Sequence, residues 1–420
     1  MQGLLDRANG LETRLQTTNA QLQAEQSKPE IDRDKAKIEN LKQVVASTQG
    51  EFRKVVEQIK TSNPNYEKFM TVNPKALKET QPSIPPGVML VQYAPLGEQL
   101  YVFLVSKENV KIVIAPIKPD ELWKKIKTLR KQITSGESGT PITKNLVALY
   151  DALIGPIESD LEAIKVVAFI PNQLLFYLPM QALAKKGADG SLRYFIEDKQ
   201  VVYLTAADVM KVVQPPDEEK SRDGMVAFGN PTGANLPAAE NEVKAIAQVF
   251  PATEVLSGAE VTKVALNTEQ RLNKRIVHFA THGILNAAKP SESYIQLAAS
   301  PKPNQEHLTV GEVWDLPFKK VTLVTLSACE SALGDKEPDG GEITTLAEAF
   351  SSAGATTVLA SLWSVGDEST KELMVEFYSQ LAANASKAEA LQKAELKLLK
   401  NPKFSRPLYW APFVLMGDWR

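Results

Sequence analysis

Cysteine is nearly absent from this sequence. Of 420 residues only Cys329 carries a thiol, which excludes an intrachain disulfide and a thiolate zinc cluster. Histidine is almost as scarce, with His278, His282 and His307 alone. Two of these lie four apart, yet Phe279 and Thr281 between them supply no zincin glutamate and the local composition reads as strand, so no metal site is expected. Excess charge is missing too. The formal net charge of −2 gives no domain a phosphate-neutralising face, and nucleic acid is excluded as a main partner. No apolar run approaches the roughly 20 residues that cross a bilayer. The start, Met1-Gln2-Gly3-Leu4-Leu5-Asp6-Arg7, lacks the basic-then-apolar form of a signal peptide, so a cytoplasmic protein is expected. No cofactor is called for.

What the chain does have is concentrated in two stretches. Ile276 to Gly283 and Val321 to Ser331 are β-branched apolar runs that end abruptly in small and polar residues. Strands behave this way where they present side chains at the carboxyl edge of a parallel sheet. The first delivers His282 and the second Cys329, 47 residues later, the order and spacing of a caspase dyad. A lone cysteine after a strand otherwise reads as a buried small hydrophobe. Its pairing with His282 reverses that reading.

Around these stretches the chain divides into three. Residues 1–62 are Gln-, Lys- and Glu-rich and heptad-patterned, with Leu4, Leu11, Leu15 and Leu22 before Pro29 and Ile31, Ile38, Val45, Phe52 and Ile59 after it. This predicts a helical hairpin or coiled-coil segment, or the last part of a longer helical array. Residues 63–220 predict an α/β unit: a meander of Val88–Tyr93, Leu100–Val105 and Val110–Ala115, two helices, and a buried strand at Val166–Ile170. It holds no histidine or cysteine. After the proline-rich boundary at Gln214–Lys220, residues 221–420 alternate strand and helix, which predicts an open sheet sandwiched by helices.

The motifs Gly229-Asn230-Pro231, Leu236-Pro237 with Glu240, His278 to Gly283, Ser327-Ala328-Cys329-Glu330, Ala353-Gly354-Ala355, Ser361-Leu362-Trp363 and Tyr409 to Phe413 occur together and in order from about residue 85 to the end. The sequence resembles the CHAT family of bacterial cysteine proteases, in the clan of caspases, separase and gingipains. The resemblance implies a caspase-like α/β fold, with 221–420 as the active CHAT protease domain and 63–220 as a catalytically empty caspase-like domain. It implies His282 as catalytic histidine, Cys329 as nucleophile, and the Gly283 N–H, with that of Cys329, as oxyanion hole. Asp367 matches a pocket acid of separase-like relatives, which would favour Arg or Lys before the cut; the other reading is the N-cap of a helix beginning at Glu368. Trp363 lines that cleft or fills the core. His278 is expected to be structural and His307 to lie on the surface. Asp335–Gly341 reads as a loop hinged at Gly340-Gly341, either regulatory or simply solvated.

The family's setting implies a regulated endopeptidase in bacterial defence or programmed cell death. It would cut one protein partner, a gasdermin-like pore-former being the candidate, and an activating protein would bind through the N-terminal helices. The rival is a proteolytically inactive scaffold that binds partners through those helices. Intact His282, Gly283 and Cys329 favour the enzyme.

Overall fold

The computed structural model describes residues 33–62, 81–205, 224–284, 292–298, 305–316, 321–327 and 341–420, together with Asn286, Phe318 and scattered positions between 7 and 28. The chain divides into two compact units, Met1–Thr71 and Val72–Arg420. In the first, helix α1 runs from Lys35 to Ser62. Asp34 Oδ1 accepts the Lys37 N–H at 2.9 Å and so caps its start. The Glu25 carboxylate accepts Lys28 Nζ at 2.9 Å and the Asp34 N–H at 3.2 Å, and pairs with Lys37 at 3.1 Å. Pro29, the expected joint, lies outside the described residues.

The second unit is built on one eleven-stranded sheet. Its strands are β1 (Val88–Leu96), β2 (Gln99–Val105), β3 (Val110–Ala115), β4 (Val166–Ile170), β5 (Gln200–Tyr203), β6 (Met225–Pro231), β7 (Thr253–Gly258), β8 (Ile276–Ala280), β9 (Leu323–Leu326), β10 (Thr357–Ser361) and β11 (Phe413–Gly417). Their order is β3-β2-β1-β4-β5-β11-β10-β9-β8-β6-β7. Only the β1–β3 meander and the β10–β11 pair are antiparallel. Parallel strands are buried on both faces, which explains the continuous apolar runs in the sequence; β8, β9 and β10 are buried at every position. The sheet does not stop at residue 220. β5 lies beside β11, pairing Tyr203 with Met416, and Gln181 Nε2 donates to the carbonyls of Ala411 and Phe413 at 3.1 and 3.0 Å.

Helices cover the sheet: α2 (Pro119–Thr134), α3 (Thr140–Leu153), α4 (Pro237–Val249), α5 (Gly341–Ser352), α6 (Asp367–Ala382) and α7 (Lys387–Lys400). Neighbouring residues of β8 face opposite layers. Phe279 stacks on Phe228 at 5.3 Å and meets Phe350 of α5 at 6.0 Å, whereas His278 reaches α4 and α6. The sequence places the start of α4 at Glu240, but it begins at Pro237, which fixes φ and needs no N–H partner in a first turn. A three-stranded sheet of Gly283–Ile284, Tyr294–Gln296 and His307–Thr309 was not expected. His307, expected in a surface loop, sits on its last strand, half-buried and stacked on Tyr294 at 3.8 Å.

Candidate active site

The carboxyl ends of β6, β8, β9 and β10 converge on one side of the sheet. β8 and β9 run parallel with His278 opposite Thr325 and Phe279 opposite Leu326. The Ser327 N–H extends this ladder by donating to the Phe279 carbonyl at 3.0 Å. Cys329 lies outside the described residues, as do Ala328, Glu330, Ser331 and residues 335–340, which the sequence reads as a loop.

His282 is half-buried just beyond β8. Its Nε2 sits 3.2 Å from the Ala234 carbonyl. A carbonyl only accepts, so Nε2 carries the proton and the ring's lone pair resides on Nδ1. The loop presenting Ala234 is held by its own motif. Asn230, at φ 49°, accepts the Leu236 N–H on Oδ1 at 2.7 Å. At Gly229 a Cβ would lie 2.7 Å from a Val243 methyl carbon and 3.0 Å from the Ala239 carbonyl, so the missing side chain is what lets α4 pack on β6.

Gly283 begins the small sheet, opposite Ile295. Across that pair the Gln296 N–H donates to the His282 carbonyl at 2.8 Å. Gly283 and Ile295 are therefore a non-hydrogen-bonded pair, and the Gly283 amide points away from the ladder. Thr281, fully buried, donates Oγ1–H to the Gln296 carbonyl at 2.7 Å and fixes the same corner.

A cleft of about 170 Å³ adjoins His282 and is lined also by Glu242, Ser327, Trp363, Asp367 and Thr370. Trp363 is 5% exposed, with Nε1–H donating to the Leu408 carbonyl at 3.0 Å, so it fills the core and walls the cleft together. Asp367 is exposed in the first turn of α6. The N-cap is Gly366, with no side-chain capping bond, and this corrects the reading of Asp367 as the cap. The acid one residue inside still suits the positive end of the helix.

Sequence reasoning missed a deeply buried polar cluster beside the cleft. Thr325 Oγ1 lies 2.7 Å from Tyr378 Oη, Tyr378 Oη 3.0 Å from His278 Nδ1, and His278 Nε2 3.0 Å from Glu242 Oε1. Burial raises the Tyr378 pKa far above its ordinary value, so its hydroxyl stays a donor. With Nε2–H donated to Glu242, a neutral His278 ring accepts on Nδ1 from Tyr378, whose oxygen in turn accepts from Thr325. The cluster ties α4, β8, β9 and α6 together around the cleft. Among the described residues, no group of His, Cys, Asp or Glu could hold a metal ion, and no helix is long and apolar enough to cross a membrane.

The CHAT domain family matches this chain over residues 143–418. Human tetratricopeptide repeat protein 28 is 27% identical over 329 residues, 65% of this chain and 13% of that protein. Among solved structures, the Saccharomyces cerevisiae separase-securin complex covers 97% of this chain and 37% of its own, with a TM-score of 0.54 and 10% identity. A second structure of that complex gives 0.51 at 12% identity over the same shares. The chain thus spans well under half the length of either relative. The large, mostly parallel sheet flanked by helices is the architecture shared with separase.

Proposed function

The chain belongs to the CHAT domain family, and from that premise we propose that it is a cysteine endopeptidase in which His282 and Cys329 act as a dyad on a protein substrate. The observation that carries this reading is register. β8 and β9 pair at a constant offset of 47 residues, and the same 47 separates His282 from Cys329. His282 and Cys329 thus follow neighbouring parallel strands in sequence at the same offset by which those strands pair.

The chemistry follows from the tautomer. With Nε2–H held by the Ala234 carbonyl, Nδ1 is the basic atom and takes the Cys329 proton. The thiolate forms a C–S bond to the scissile carbonyl carbon, and the oxyanion is met by the Gly283 and Cys329 N–H groups. The protonated imidazole gives its proton to the departing amine as the C–N bond breaks. Water, deprotonated by the same nitrogen, then releases the acid and restores the thiol. Trp363 and Asp367 wall the substrate pocket. The half from 63 to 220 supports the active half from 221 onward and takes no chemical part. The protease is regulated, through the N-terminal helices and an activating protein, and acts in the cytoplasm in defence or cell death, a gasdermin-like protein being the candidate substrate.

The test is the alkylation rate of Cys329 by iodoacetamide across pH. An unperturbed thiol has a pKa near 8.5 and reacts slowly at pH 6.5, whereas a His-activated one reacts readily there. The wild type is expected to react at least about tenfold faster than His282→Ala at that pH. Equal, slow rates in both proteins refute the dyad.

A further inference from the structure

We propose that Glu242 is the residue that reads the substrate, by accepting a cationic side chain, arginine above all, next to the scissile bond; the proposal rests on the proteolytic reading above. Two acids line the cleft beside His282, Glu242 and Asp367, and no lysine or arginine lines it among the described residues. They differ in setting. Asp367 is exposed in a first helical turn, where water and salt screen its charge. Glu242 is 4% exposed, so its charge acts through a medium of lower dielectric and is felt more strongly by whatever enters.

The buried cluster explains how such a charge is kept there. A carboxylate out of water is costly unless it is hydrogen-bonded. Oε1 has His278 Nε2–H at 3.0 Å, at the end of the one-way donor chain from Thr325 and Tyr378. That donor chain terminates in an acceptor, so it holds the carboxyl in one orientation. Oε1 is thus committed to the protein, while the residue lines the cleft. A guanidinium arriving there supplies the charge that the cluster lacks, and its planar fork suits a fixed carboxylate better than a mobile ammonium does. Ser327 and Thr370, both nearly buried at the cleft wall, add hydroxyl acceptors for the remaining N–H groups. Glu242 also explains why His278 is kept fully buried at a strand position that contributes nothing to the proposed dyad.

The test separates recognition from catalysis. In the full chain carrying Cys329→Ala, binding of benzamidine is compared with that of benzamide, which has the same ring and no charge. Benzamidine is expected to bind at least tenfold more tightly, and Glu242→Gln, which keeps an acceptor for His278, is expected to remove that preference. Equal binding of the two compounds, a comparison that needs no change at Glu242, overturns the proposal. So does a preference that survives in a folded Glu242→Gln protein. In parallel, matched peptides with arginine or citrulline before the cut are offered to the wild type. Cys329-dependent cleavage indifferent to that change overturns the role of Glu242 and leaves the protease standing. If no peptide is cut in a Cys329-dependent way, the proteolytic reading fails, and benzamidine binding alone decides whether Glu242 reads a cation.

Discussion

Single side chains in this protein are asked to do opposite things with buried polarity. At the cleft, Tyr378 has both Thr325 and His278 within hydrogen-bond distance, and Tyr378→Phe leaves a buried imidazole nitrogen without its donor. A loss of about 1 to 3 kcal/mol is expected, read by denaturant unfolding. In α7, Glu395 is 1% exposed and its Oε1 has no hydrogen-bond partner. Burial raises its pKa well above the ordinary value, with Gln181 only partly opposing the shift. An acid raised in this way supports the fold while protonated. That support is complete below its unfolded pKa and is lost as pH rises through the folded one. Glu395→Gln, neutral at every pH, is therefore expected to raise the melting temperature at pH 7, by about 1 to 3 kcal/mol of stability, with the gain vanishing near pH 4. A gain that is flat with pH would contradict the assignment. Neither cluster was legible in the sequence: Glu242, His278, Thr325 and Tyr378 are scattered over more than a hundred residues, and only the fold brings them together.

Among elements, the long apolar strands were easy to read, whereas the edge strand β7, the turn at Phe195–Glu197 that reads as strand, and the helix starts were not. β8 and β9 appear as short β-branched runs because both faces of a parallel strand are buried. The strands at 283–284, 294–296 and 307–309 are two or three residues long, too short for any period to show. Asp367 could be taken for a cap because one residue decides between cap and first turn. Close approach between elements gives a sharper test. Gly354 has φ 115°, and a Cβ there would lie 1.9 Å from the Phe318 carbonyl oxygen. Gly354→Ala is expected to destabilise the protein by about 3 kcal/mol or more, seen as a lowered denaturation midpoint. In the helical unit, Lys28, the Asp34 N–H and Lys37 lower the Glu25 pKa from 4.5 to about 2. A depressed acid stabilises above its unfolded pKa and loses that contribution as pH falls toward the folded one. The stability gap between wild type and Glu25→Gln is thus expected to be full above about pH 4.5 and to shrink steadily below it.

For the whole molecule, the continuity of the sheet carries the account. β5 and β11 stand side by side, and Gln181 and Gln392 tie the segment before residue 221 to the carboxyl-terminal one by hydrogen bonds of 2.8 to 3.1 Å. The α/β alternation made the fold class legible, because that pattern has few solutions other than a helix-flanked sheet. The proposed function was legible only through His282, Gly283 and Cys329, whose residue types suit that chemistry. The most direct test of the central claim is a mass-spectrometric cleavage profile: wild type and Cys329→Ala are each incubated with a proteome-derived peptide library and the new termini compared. The account predicts cuts that appear with wild type alone, with arginine enriched immediately before them. Indistinguishable profiles would contradict it.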